Sequence, residues 1–197
     1  MTILNKPLSG RTAIVTGSGQ NIGKAIALLF AANGANVVVN GHRNEEAVKT
    51  VVEEIRNLGG QALGIMADVG APDAVKSMVN QTVDKFGKID ITVSNVSIRP
   101  KQEFLDISID DWHQVLNTNL NAAFYLAHHC VPYMIKQKWG RIIHISGDDA
   151  FCGENHRVHN ITAKLGLHGL TRALAYELGF QGITANTVAP DRKSTRL

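Results

Sequence analysis

An α/β domain built on a doubly wound parallel sheet of about six strands is predicted by three observations. Short apolar, β-branched runs alternate with longer amphipathic segments along the chain. A glycine-rich turn, Thr16-Gly17-Ser18-Gly19-Gln20-Asn21-Ile22-Gly23, joins the first such run to the first amphipathic segment. No repeat, linker or low-complexity stretch breaks the rhythm, so residues 1–190 read as a single domain.

The elements follow in order. Residues 12–16 form a short apolar strand that ends at the glycine-rich turn. Residues 24–33 carry apolar side chains at helical spacing, and Gly34 closes that helix as a C-cap. Residues 36–40 are a β-branched run, read as a buried strand. Residues 45–58 are amphipathic, with Val48, Val51, Val52, Ile55 and Leu58 as the apolar stripe, and Gly59-Gly60 stops them. Residues 62–69 are a third strand. Pro72 opens the next helix, whose buried face is Val75, Met78, Val79 and Val83. A fourth strand covers 89–94. A long helix covers 110–137, with Ser108 or Asp110 as N-cap and Val115, Leu116, Leu120, Phe124 and Ala127 on its apolar face. Pro132 is expected to kink or interrupt it. Residues 141–146, 160–178 and 183–188 complete the pattern as strand, helix and strand. Such alternation implies right-handed crossovers with helices on both faces of the sheet.

The 197 residues suffice for one domain with a sizeable core. Arg192, Lys193 and Arg196 against Asp191 put +2 of the net charge of +3 into the tail DRKSTRL. The remainder carries no basic stripe, which argues against nucleic acid as a partner. The tail, 191–197, reads equally as a frayed polar terminus and as one translation frame of a library adapter, and lies outside the expected domain on both readings. Apolar runs such as Val37-Val38-Val39 are too short to span a membrane. The first residues lack a basic stretch followed by an apolar one, so a cytoplasmic location is expected. Cys130 and Cys152 are the only cysteines; without metal-ligand spacing they suit a reducing compartment, read as small buried thiols, and imply no metal site.

A glycine-rich turn between strand and helix brings backbone N–H groups and a helix N-terminus up to a pyrophosphate. Here it resembles the TGxxxGxG signature of the short-chain dehydrogenase/reductase family. Gly17 and Gly23 match its first and last glycines, Ser18, Gly19 and Ile22 lie within the run, and Asn21 replaces the middle glycine. Asn is the ordinary residue that best tolerates a left-handed backbone, so the turn is expected to survive. The second strand ends Val39-Asn40-Gly41-His42-Arg43, without an acid for the ribose hydroxyls of NAD and with Arg43 positioned for a phosphate, which favours NADP over NAD. Asp68-Val69 resembles the family's pair beside the adenine. Asn95 in Ser94-Asn95-Val96-Ser97 matches the family's NNAG, with Ser97 standing where the family has Gly.

The resemblance extends from about residue 8 to residue 190. It puts Asn119 at the catalytic Asn, Gly147 at the substrate-binding Ser, Asn160 at the catalytic Tyr and Lys164 at the catalytic Lys. Hydride transfer to a carbonyl builds charge on oxygen, which a Tyr hydroxyl protonates and a Ser hydroxyl stabilises. Asn160 can donate a hydrogen bond but yields no proton, and Gly147 has no side chain. His156, His159 or Asp148, from a loop rich in acids and histidines, is expected to replace the Tyr as acid. The implied function is an NAD(P)-dependent oxidoreductase acting on a small-molecule carbonyl or alcohol. The alternatives are a nucleotide-binding homologue without activity and an inert fragment. Family members continue beyond Pro190, so the sequence is expected to be a piece of a longer, homo-oligomeric parent.

Overall fold

Alternation of side-chain direction along the strands shows why they build a two-faced sheet. In β1 (Thr12–Val15) Ala13 and Val15 face one side and Ile14 the other, and all three are fully buried. The computed structural model describes residues 6–190. Its six strands run in the order β3-β2-β1-β4-β5-β6, every neighbouring pair parallel. The other strands are β2 (Asn36–Gly41), β3 (Gln61–Met66), β4 (Ile91–Ser94), β5 (Gly140–Ile145) and β6 (Ile183–Val188). On one face, α1 (Asn21–Ala32) and α2 (Glu45–Asn57) pack Ala27, Val51 and Ile55 on Ala13, Val15, Val37 and Val39. On the other, α3 (Pro72–Phe86) and α5 (Ala122–Lys136) pack Met78, Val79, Leu126 and Met134 on Ile14, Val38 and Ile142. Parallel strands covered on both faces are apolar throughout, which is how these runs read in sequence.

Asp90 fastens the edge of the sheet away from the glycine turn. It is fully buried and accepts from Arg11 Nη1 at 2.7 Å, Lys88 Nζ at 3.2 Å and the Thr12 N–H at 2.9 Å. Arg11 and Arg141 flank the Trp139 ring, 3.6 and 4.3 Å from its centroid. A buried carboxylate is tolerable only with such charge-assisted partners.

The long helix differs from its sequence reading. Pro132 does not interrupt α5; it lies on the exposed face, where the carbonyl it frees can meet water. The irregularity falls earlier, between α4 (Ile109–Leu116) and α5, where Asn117–Asn121 form a π-helical turn. The wider turn rotates the downstream phase, so Phe124, expected to be buried, is half exposed while Ala122 and Ala123 turn inward. Leu58, expected in the stripe of α2, is exposed because it lies past the last helical residue. The third strand ends at Met66, which leaves Asp68 and Val69 on a loop. Of the two cysteines only Cys130 is buried; Cys152 is exposed at the end of a short helix, α6 (Asp149–Cys152), that the sequence did not signal. The remaining long helix is α7 (Val158–Leu178). No helix among the described residues is long and apolar enough to cross a membrane. Residues 191–197, read as a polar tail, lie outside the described residues.

His144, in β5, is fully buried. Thr171 Oγ1 donates to the Leu167 carbonyl and therefore accepts from His144 Nδ1–H at 2.8 Å, which fixes the tautomer. Burial, with the Lys164 ammonium adding to it, lowers this imidazole from 6.5 to about 4. Between those values the unfolded chain binds more protons than the folded one. Stability therefore falls as pH falls through that window, by on the order of 3 kcal/mol from this residue. Urea midpoints across the window should show that slope, and His144→Asn, which keeps a donor for Thr171, should flatten it.

Candidate functional site

β1 and β4 are neighbours, but the chain leaves β1 for α1 on one face and leaves β4 towards α4 and α5 on the other. Their C-terminal ends thus part around a crevice, the usual ligand position in a doubly wound sheet. The glycine turn forms its floor. Gly17 (φ 61°) and Asn21 (φ 51°) are both left-handed, so Asn21 takes the backbone conformation its motif position needs. A Cβ on Gly23 would run into the Gly17 carbonyl oxygen, and one on Gly17 would lie 2.9 Å from Val96 Cγ2. The N-cap of α1, Gln20, makes no side-chain cap, and the first turn holds no acid. Its first N–H groups and the positive end of its dipole are left for an anion.

Two asparagine amides brace the turn from opposite sides. Asn95 Nδ2 donates to the carbonyls of Thr16 and Gly17 at 3.0 and 3.2 Å, and its N–H to Thr16 Oγ1 at 3.0 Å. Asn40 Oδ1 accepts the Gly17 N–H at 3.2 Å, and Asn40 Nδ2 donates to the carbonyls of Gly41, Ile65 and Ala67. Ser18 is fully buried in the same brace, its hydroxyl donating to the Val15 carbonyl at 2.6 Å and accepting the Asn40 N–H at 3.0 Å. Ser18, expected to touch a cofactor, thus lines neither cavity of the crevice.

Those cavities, of about 500 and 350 Å³, lie either side of the turn and share Gly17, Gln20 and Val96 in their walls. The larger is lined by Gly19, His42, Arg43, Asp68, Val69 and Asn117. Asp68 Oδ1 accepts the Gly70 N–H at 2.9 Å, and its other oxygen is 3.9 Å from His42 Nε2. The smaller is lined by Asn21, Ile22, Gly23 and Asn95, and beyond them by Gly147, Asn160 and Lys164. A shared floor of closely approaching glycines, an uncapped helix start and a cation at one end fit a dinucleotide lying across the turn.

At the far end, Asn119 sits on the π-helical turn, buried, and holds the loop after β4 through both edges of its amide. Its Oδ1 accepts the Ile98 N–H and its Nδ2 donates to the Ile98 carbonyl, each at 2.8 Å. The same Nδ2 donates to Asn160 Oδ1 at 2.9 Å. Lys164, one turn along α7 from Asn160, is buried and donates from Nζ to the Ile145 carbonyl at 2.7 Å. Desolvation, with Arg99 adding to it and Asp149 opposing it, lowers its pKa to about 8. A Cβ on Gly147 would lie 2.7 Å from Asp149 Oδ1, so this carboxylate occupies the ground a side chain at 147 would enter.

The three candidate acids separate. Asp148 lines the cavity and accepts the Asp149 N–H at 2.9 Å. His156 lies outside it, paired with Glu103 at 3.2 Å. His159 is fully buried and lies outside the lining. Its Nδ1 accepts the Asn160 N–H at 3.0 Å, so its Nε2–H donates to Gln102 Oε1, also at 3.0 Å, and burial lowers its pKa. Sequence reading missed the bracing role of Asn40 and the position of Arg99 in the cavity wall. An asparagine closing an otherwise apolar strand was the one available signal for Asn40. Among the described residues no group of three or more ligating side chains could hold a metal.

A family model described as short chain dehydrogenase matches residues 11–197. A Synechocystis 3-oxoacyl-[acyl-carrier-protein] reductase is 38% identical over 183 residues, covering 93% of this chain and 74% of the relative. Subunit BbsD of (2S)-[(R)-hydroxy(phenyl)methyl]succinyl-CoA dehydrogenase from Thauera aromatica is 40% identical over 183 residues, covering 93% and 73%. A crystal structure described as a short-chain alcohol dehydrogenase, from Sinorhizobium meliloti, superposes with a TM-score of 0.90 at 31% identity, covering 96% of this chain and 76% of that one.

The contact between position 147 and Asp149 makes these residues energetically coupled. Gly147→Ser should displace the Asp149 carboxylate and lower stability by about 1 kcal/mol. Combined with Asp149→Ala its cost should largely vanish, so a double-mutant cycle on urea midpoints should give a coupling of about 0.5 kcal/mol or more. Strict additivity would contradict the contact.

Proposed function

The chain belongs to the short-chain dehydrogenase family, and from that premise we propose that it is an NADP-dependent oxidoreductase interconverting a carbonyl and an alcohol. Its proposed substrate is an oxygen-bearing acyl thioester, with Lys164 as proton donor. The observation that carries the reading is the pair of cavities joined at Gly17, with Arg43 in the wall of one and Lys164 in the wall of the other. The thioester class is supported by the acyl-carrier-protein and CoA groups in the names of two relatives. Two free cysteines support a cytoplasmic location. Half-exposed Phe124 on α5 and exposed Tyr176 on α7 support a homo-oligomer.

Arg43 would hold the phosphate that distinguishes NADP, and the uncapped start of α1 the pyrophosphate. When bound, the reduced nicotinamide supplies a hydride. The chain must then supply a proton to the substrate oxygen. Asn160 has none to give, whereas the Lys164 ammonium lines the same cavity. As the O–H bond forms, an N–H bond of Lys164 breaks, and the neutral amine regains its proton from water. Its lowered pKa, about 8, brings the donor close to the working pH. The second reading, nucleotide binding without turnover, is favoured by Gly147 and Asn160 at the Ser and Tyr positions.

Fluorescence titration with NADPH and NADH tests the cofactor assignment. NADPH should bind more tightly, and Arg43→Ala should weaken NADPH by about 10- to 100-fold while leaving NADH nearly unchanged. Equal loss for both, or none, would remove Arg43 from the reading.

Reduction of acetoacetyl-coenzyme A should be fastest with Lys164 protonated and fall as pH rises through about 8. Lys164→Met should abolish that dependence together with turnover. Tight NADPH binding without turnover at any pH would favour the second reading.

A further inference from the structure

Ser97 Oγ and Asn160 Nδ2 are cut off from solvent and have no hydrogen-bond partner among the described residues. Both residues line the cavity that Lys164 lines. A buried polar atom left in this state costs about 1–3 kcal/mol, so two in one cavity wall point to a ligand. The amide orientation of Asn160 follows from its neighbours. The Ile98 N–H can only donate, so the Asn119 atom 2.8 Å from it is Oδ1. Asn119 Nδ2 must then donate, to the Ile98 carbonyl and to Asn160. The accepting atom of Asn160 is therefore Oδ1, and its uncommitted arm is a donor. At the end of β5, Gly147 offers no hydroxyl, and the neighbouring Asp149 carboxylate is an acceptor. The loop after β4 offers one instead, on Ser97.

We propose that Ser97 and Asn160 together hold one acceptor oxygen of the substrate, with the Ser97 hydroxyl standing in for the side chain that position 147 lacks. The assignment rests on the oxidoreductase reading above and deepens it by naming how the reacting carbonyl is held. Both groups act by hydrogen bonding alone, where charge develops on the oxygen; the proton comes from Lys164.

The test is binding, free of turnover: calorimetric titration of acetoacetyl-coenzyme A into the chain saturated with NADP+, which can donate no hydride. Ser97→Ala and Asn160→Ala should each weaken the probe about 3- to 10-fold with NADP+ affinity unchanged, the latter showing that the fold and cofactor site are intact. Ser97→Gly, which restores the residue of the family motif, should weaken it equally and separates the hydroxyl from any packing effect of a methyl group. Undiminished probe affinity in all three variants would overturn the Ser97–Asn160 pair while leaving the oxidoreductase reading in place. Failure of the unaltered chain to bind NADP+ or the probe would overturn the reading on which the pair rests.

Discussion

The C-terminal edge of the sheet depends on how closely α1 approaches the turn that precedes it. At Gly23 a side chain would collide with the Gly17 carbonyl, and at Gly17 with Val96. That contact lets the helix start directly beneath the crevice with its first N–H groups uncapped. It also sets the distance between the ends of β1 and β4, and so the position of Asn95 and the loop that carries Ser97. A bulkier residue at either glycine would push helix and strand apart and disturb both cavities at once.

Around this contact the chain relies on asparagine amides. Asn40, Asn95 and Asn119 each link segments far apart in sequence, accepting with one edge, donating with the other, or both. Asn117 adds a fourth link, from the π-helical turn to the Gly70 carbonyl at 2.7 Å. A single bond of this kind contributes only about 1 kcal/mol net, but each satisfies backbone groups in loops that have no ladder of their own. The crevice is thereby shaped before any ligand arrives, which lowers the ordering cost of binding.

The altered catalytic positions are not isolated replacements. Glycine at 147 admits the Asp149 carboxylate, and asparagine at 160 joins Asn119 in a continuous amide chain back to the loop after β4. Lys164 is left with the Asp149 carboxylate nearby, in the wall of a cavity also lined by Ser97 and Asn160, whose buried Oγ and Nδ2 have no hydrogen-bond partner among the described residues. On the proposed reading the chemistry is shared among several residues, where the family motif concentrates it in a serine and a tyrosine.

The strands, most of the helices and their buried faces were legible in the sequence because they follow from local periodicity: Val37 to Val39 and Val48, Val51, Val52 and Ile55 of α2 read the same before and after folding. The left-handed turn at Asn21 was legible for the same reason, since it is a property of residue type. The π-helical turn at Asn117–Asn121 was not. It carries Asn119 to the Ile98 backbone, a contact across 21 residues that leaves no local mark. Ser18 was misread because its hydroxyl could have faced a ligand or the chain, and only the return of Asn40 against it chose the chain. His159 likewise turned to Gln102 rather than the cavity. The residues thus determined by themselves most of the elements, most of their buried faces and the backbone shape of the glycine turn. Which polar side chains meet in the crevice, and which atoms they leave uncommitted, was decided by tertiary structure, because hydrogen-bond partners are set by distance in space.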